Sequence, residues 1–377
     1  DAELGGTLQV GQLTGTGFTK TGPGTLRVAG TSGYSGAIVV AAGVLDIGST
    51  ANLAAGVTVQ TAGSGLVQLD TLDGQDLGKI TGTRAVALKN GASVALDTDA
   101  LTVTLTTVTN EAWTISGLTG GADLVKTGAG TLVVSNATAF AGRVRVLQGL
   151  LRAVGALGAN EAVVSNGVFA AYGAGTVLQN TFTVAGGTLL ADNGGSLGSC
   201  AVSLLAGGTL AATNSGSLGS GPLAVTAGTL RMDAGGTAGT RALTLSGGGQ
   251  IQIYDGAGFD AASLAIGGGT LDFRATTTMG RGVTLTANTT FSATTPAGAL
   301  APTVGTLAGF ITTSARSKLN VNGNGQLRLS GGGSFIAGGE IFVTGGGDLT
   351  IVSNEVSVTG YAGLESGGKR FAVADGG

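Results

Sequence analysis

A glycine followed by a four-residue run of alternating side chains is the unit that recurs along this chain. Thr25-Leu26-Arg27-Val28, Thr131-Leu132-Val133-Val134 and Thr270-Leu271-Asp272-Phe273 are examples. Alternation with a period of two sends one set of side chains inward and the other to solvent, which predicts half-buried strands. The leading glycine or glycine pair supplies the positive-φ or bulged corner at which such a strand turns. A second run follows in many units, as in Ala37-Ile38-Val39-Val40 and Arg143-Val144-Arg145-Val146. Helical periodicity is absent, and 74 glycines among dense Thr and Val set the composition against helix.

The runs repeat. Gly-Thr-Leu occurs seven times up to Thr270, with threonines at Thr7, Thr25, Thr131, Thr188, Thr209, Thr229 and Thr270, and once more at Thr306. The intervals 18, 21 and 20 are single periods, and 41, 57 and 106 are near multiples of the same unit. Degenerate copies fill the gaps around Val44, Leu66, Leu150, Val168, Gln250 and Thr290, and the series runs on through Thr306, Gln326 and Asp348. Only the stretch from Thr71 to Trp113 resists phasing and reads as an irregular, insertion-like segment.

A period near twenty residues means a stacked architecture in which each unit buries its face against its neighbours. A propeller blade needs roughly forty residues per repeat, and a sandwich does not repeat its sequence. The expected fold is all-β, a parallel β-solenoid of about 17 coils of ~20 residues. At ~4.8 Å per coil it would form a rod about 80 Å long. Four prolines and no linker-like run make residues 1–377 one continuous solenoid by this reading.

Two segments carry a more specific pattern. Leu13 to Gly48 and Leu118 to Val154 each contain Lys-Thr-Gly-X-Gly-Thr-Leu. An aromatic then stands two residues before a glycine (Tyr34 and Gly36; Phe140 and Gly142), followed by a β-run and a Gly-led hydrophobic strand. This pattern resembles the autotransporter-associated β-strand repeat of bacterial passenger domains. The resemblance implies a right-handed β-helix, secreted or on the surface of a Gram-negative-type cell, with roles in adhesion, aggregation or biofilm cohesion. The strand pattern of a C-terminal membrane barrel is not in the sequence, a departure from a full autotransporter.

Composition narrows the chemistry. Charged residues are 10% of the chain and the net charge is −3, with basic residues single apart from Arg143/Arg145 and Lys369-Arg370, so no nucleic-acid-binding stripe is written here. No run of eighteen apolar residues predicts a transmembrane helix. The start at Asp1 fits a processed, exported product. Cys200 is the single cysteine, which rules out an intramolecular disulfide and reads as a small buried core residue. With no histidine, Ser-His-Asp and Cys-His catalysis and every histidine metal site are excluded.

What remains is carboxylate chemistry, of the kind a β-helix glycosidase or lyase would use. Asp70, Asp73 and Asp76 form the densest acidic cluster and a weak Ca²⁺ candidate, more simply a solvated loop. Asp233, Asp255, Asp260 and Asp272 could line one face as a carbohydrate-binding array, although capping of turns explains them as well. Lys20 and Lys126 share a motif position and read as exposed charges flanking strands rather than as ligand contacts. Trp113, Tyr34, Phe140 and Tyr172 could stack sugars, but packing inside or over a coil corner is the simpler role. Asn136-Ala-Thr138 and Asn288-Thr-Thr290 match a glycosylation pattern of little weight in a bacterial protein.

The ends complete the sequence picture. Leu4, Leu8, Val10 and Leu13 alternate from the start, and Phe371 and Val373 still alternate near the finish. Uncapped strand edges invite head-to-tail stacking or exchange of a terminal strand. The expected function is a non-enzymatic structural solenoid without a cofactor, associating with copies of itself into an extracellular fibre or surface layer. Surface glycans or other matrix proteins are possible partners. The alternatives are a monomeric adhesin passenger binding glycan or host protein, and a polysaccharide lyase or hydrolase.

Overall fold

A computed structural model of the chain describes residues 5–70, 75–76, 79–82, 85–88, 93–97, 103–106, 112–121, 123–135, 137–158, 160–173, 175–177, 181–259, 261, 263–279, 283–299, 301–307, 311–313, 318–329, 334–335, 340–343, 348–352, 357–358, 361–364 and 370–374. Among these, every regular element is a β-strand except one 3-10 turn, Thr50–Asn52. The fold is an all-β parallel solenoid, with somewhat fewer coils than the seventeen expected. One reason is a long turn late in the chain. Twenty-eight residues separate Val283 from its in-register partner Ile311. The chain divides into two compact units, Asp1–Phe169 and Ala170–Gly377.

In the first unit one ladder runs through Thr7–Val10, Thr25–Val28, Val44–Gly48, Leu66–Leu69, Ala85–Leu88, Val103–Thr106, Leu124–Thr127, Arg143–Val146 and Glu161–Val164. A second ladder joins Phe18–Lys20, Ile38–Val40, Val59–Thr61 and Ile80–Gly82, where it ends among the described residues. A third begins at Ser93–Asp97 and continues through Ala112–Thr119, Thr131–Val134 and Leu150–Ala153. The hand-over from the second ladder to the third falls inside the segment whose phase the sequence does not reveal. Its strands still pair in parallel, Val86 with Val67 and Val103 with Leu124.

That hand-over corrects the reading of the seven threonines as one series. Thr7 and Thr25 are register partners on the first ladder, whereas Thr131 opens a strand of the third. Counted through the pairings, Thr25 reaches the level of Val125. Thr131 lies one corner beyond. The interval of 106 is therefore a whole number of turns plus a corner, and the motif has moved round the coil by one face.

In the second unit Thr188, Thr209, Thr229, Gln250, Thr270 and Thr290 stand in one register column, including the two degenerate copies. The next residues, Leu189, Leu210, Leu230, Ile251, Leu271 and Phe291, are fully buried and form the core column beneath. Each contributes about 1.5–3 kcal/mol by leaving water. Beyond Thr290 the column continues to Asn320. Gln326 and Asp348 belong to a different ladder, through Thr277–Met279, Val304–Leu307, Gln326–Leu329, Asp348–Val352 and Arg370–Ala374. Thr306 pairs with Arg328, two positions out of phase with Gln326. The three late copies thus lie on another face from Thr290.

One corner of this unit is built from residues with positive φ, Asn193 at 51° and Asn214 at 47°, then Ala234 at 47°. Asparagine enters the left-handed region readily and alanine does not, at about 1–2 kcal/mol. Ala234→Asn should therefore raise the unfolding free energy by roughly 1 kcal/mol, read from the urea midpoint. A midpoint that stays put or falls would show that Ala234 is not strained.

Candidate functional site

The two Lys-Thr-Gly corners are built alike. Lys20 ends the strand Phe18–Lys20 and donates through Nζ to the carbonyl oxygens of Thr21 (3.0 Å), Gly22 (2.8 Å) and Ala42 (3.1 Å). Lys126, in Leu124–Thr127, donates to those of Thr127 (2.9 Å), Gly128 (2.8 Å) and Gln148 (2.9 Å). An ammonium has three N–H donors, and each finds one carbonyl. Two acceptors belong to the lysine's own corner and the third to the turn after it.

Both lysines are buried, Lys126 fully and Lys20 to 8% exposure. This corrects the sequence expectation of exposed, strand-flanking charges. The physical reason is the glycine turn itself, which brings three carbonyl oxygens within hydrogen-bonding reach of each ammonium. A charged donor in place of water satisfies them at short range. Burial pushes the pKa of Lys126 down to about 8 and lowers that of Lys20.

A glycine twenty-three residues after each lysine completes the cradle. A Cβ on Gly149 would lie 2.3 Å from the Gly128 carbonyl oxygen and 2.7 Å from Lys126 Nζ, and φ there is +67°. Gly43 meets Gly22 and Lys20 in the same way, at 2.4 and 2.7 Å. This Lys-to-Gly spacing is the signal in the sequence that would have shown the lysine pointing inward.

The motif's aromatics are core residues. Tyr34 and Phe140 are buried, and the Phe18 and Tyr34 rings meet edge to face at 5.3 Å. They offer no platform to a sugar. Tyr172 is half-buried, and the side chain of Trp113 lies outside the described residues.

A third buried cation was not anticipated from the sequence. Arg241 is fully buried. Its guanidinium donates to the carbonyls of Leu218, Cys200 (2.7 Å) and Gly221 (2.9 Å), and lies 3.5 Å from Cys200 Sγ. It thereby ties its own turn to the two before it. Cys200 is buried as expected, donates to the Leu197 carbonyl, and has its pKa raised by burial. Burial lowers the pKa of Arg241.

The carboxylates are dispersed. Asp73 lies outside the described residues. Near Asp70 and Asp76 the chain is pinned by Gln75, whose Oε1 accepts from the Thr50 amide (2.6 Å) and the Ser49 hydroxyl (3.0 Å). Among the described residues no three His, Cys, Asp or Glu side chains converge as a metal site would require. Asp233 pairs with Arg231 at 2.6 Å, and Asp272, nearly inaccessible, pairs with Arg274 and accepts from Ser292 and Thr294. Asp255 is exposed at a turn, and Asp260 is outside the described residues.

Residues 18–47 and 124–153 match the family model of the passenger-associated-transport-repeat. The chain carries two passenger repeats. Each match contains a lysine, its three carbonyls and the glycine that closes on them. Together with the solenoid they support an autotransporter passenger-type protein, which suggests a secreted or surface-exposed chain. No curated protein and no solved structure matches it. No helix among the described residues is long and apolar enough to cross a membrane.

Two outcomes follow for the passenger repeat. Gly149→Ala adds a Cβ against backbone at positive φ and should cost about 2–5 kcal/mol of stability, measured by chemical denaturation. A cost below that range would mean the corner can relax. For Lys126, the folded pKa of about 8 lies below the reference 10.5, so between those values the unfolded chain holds a proton the folded chain has lost. Stability relative to Lys126→Met should therefore rise as pH increases across that window. A flat difference across it would show that the ammonium is not desolvated.

Proposed function

We propose that the chain is a non-enzymatic structural passenger of a Gram-negative-type cell surface, whose polar core groups serve the scaffold and no reaction. The observation that supports this reading most directly is the use of the buried cations. Lys20, Lys126 and Arg241 each spend their donors on carbonyls of successive turns. The absence of histidine removes the usual general base at neutral pH. Incubation with soluble polysaccharides, with and without Ca²⁺, tests the reading. No release of reducing ends is expected, and release that disappears in Asp73→Ala would overturn it.

Self-association is the finer part of the proposal, and a specific feature favours it. Thr7–Val10 pairs with Thr25–Val28, and its other edge has no partner strand among the described residues. On it Leu8 is 51% exposed, beside a pocket of about 170 Å³ lined by Phe18, Lys20 and Leu26. The second repeat's lysine, by contrast, is fully covered. In the second unit Arg370–Ala374, which carries Phe371 and Val373, likewise pairs on one edge only among the described residues. Val10 and Leu13 are half-buried, and Leu4 lies outside the described residues. Strand addition by a second copy would bury Leu8 and satisfy the open edge. The assembly would be an extracellular fibre or biofilm layer.

Electron microscopy and sedimentation of the purified chain at micromolar concentration check this. Filaments or concentration-dependent oligomers are expected from the wild type, and Leu8→Lys should raise the concentration needed for assembly about tenfold or more, some 1.4 kcal/mol. A wild-type chain that stays monomeric across the range would refute self-association and favour a single passenger presenting its loops.

A further inference from the structure

In the second unit one outer face differs from the other. On the ladder of Ala242–Ser246 and Ser263–Gly267 the outward residues are small, Ala242 and Thr244 beside Ser263 and Ala265. The same turns place Arg231, Gln252 and Asp272 in one outward column of the ladder through Thr229–Met232, Gln250–Ile253 and Thr270–Phe273. Two residues further on stand Asp233, Tyr254 and Arg274. Long polar side chains lose more rotamer freedom when ordered than small ones do. The other face shows that small residues suffice to build these turns.

The six side chains are held in place before any ligand arrives. Arg231 donates to Asp233 at 2.6 Å and lies 4.4 Å over the Tyr254 ring. The Tyr254 hydroxyl donates to Gln252 Oε1 at 3.3 Å, and Gln252 Nε2 donates to Gln250 at 2.7 Å. Arg274 donates to Asp272. Arg231 is nevertheless exposed, and Gln252, Tyr254 and Arg274 are only half-buried. Each arginine is matched by an aspartate, so the patch is balanced in charge while rich in planar donors and acceptors.

We propose that this face binds an extended, neutral polysaccharide lying across the strands. Neighbouring hydroxyls of a sugar ring offer paired donors and acceptors to the guanidinium and amide groups, and a ring can rest on the exposed guanidinium plane of Arg231, which Tyr254 supports from beneath. Strand spacing places equivalent positions every ~4.8 Å, so the column from Arg231 to Ser292 spans about 14 Å, enough for several rings in line. The balanced charge makes a polyanion a poor occupant, because no unpaired basic group is left to neutralise it. The inference is independent of whether the chain self-associates.

Native gel electrophoresis of the whole chain through hydroxyethyl cellulose, mannan or dextran tests it. At least one of the three should retard the wild type. Gln252→Ala with Tyr254→Ala should weaken that retardation at least tenfold, while Thr244→Ala on the other face leaves it unchanged. Thermal unfolding of each variant separates lost binding from lost fold, and Gln252→Ser alone carries the same expectation if the double variant melts early. No retardation by any of the three would overturn the proposal. So would equal retardation of a folded double variant, or retardation by an acidic polysaccharide alone.

Discussion

Successive turns of this solenoid sit one strand spacing apart, and at their corners the backbone of one turn touches the backbone of the next. At Gly216 a Cβ would lie 2.1 Å from the carbonyl oxygen of Ala191, and at Gly236 the same distance from that of Ala212. No side chain fits such a gap. The close approach lets each turn repeat the path of the one before, which keeps the parallel ladders in register and the inward residues in columns. Glycine recurs where such gaps recur, as at Gly195, Gly216 and Gly236 in successive turns. The cores beneath the ladders, such as Leu189 to Phe291, depend on that register.

The same close approach creates a problem that the buried cations solve. Where the corner turns sharply, several carbonyl oxygens converge on one inward point. Lys20 and Lys126 meet three each, and Arg241 meets those of Leu218, Cys200 and Gly221. Burying a cation is costly unless every donor is used, and here the donors are used on the backbone. Lys126 and Gly149 therefore act as a pair, since the glycine leaves the space the ammonium occupies. The two matches to the passenger repeat fall on the segments that contain this pair.

Much of the architecture is legible in the sequence because its causes are local. Alternation in Thr229-Leu230-Arg231-Met232 states which side chains go inward, and the structure buries Leu230 and Met232. The columns through Gln250 and Thr290 follow from spacing alone. Orientation within the candidate site was less legible. A lysine beside a strand looks like a surface charge by composition, and the carbonyls that draw Lys126 inward include one from Gln148, twenty-two residues away. Arg241 gave still less signal, since its acceptors reach back to Cys200, forty-one residues earlier.

The amino-acid sequence by itself determined the class of fold, the stacked parallel strands and the identity of the core columns. Those follow from a period of two within strands and of about twenty between them. Only the tertiary structure decided on which face each copy of the motif lies. Thr25 and Thr131 occupy equivalent places in their motifs and different ladders in space, because among the described residues one ladder ends at Ile80–Gly82 and another begins at Ser93–Asp97. A strand's face is set by the corner it has turned and by the strand it stacks upon. Both are properties of atoms a whole turn away, and no local pattern records them.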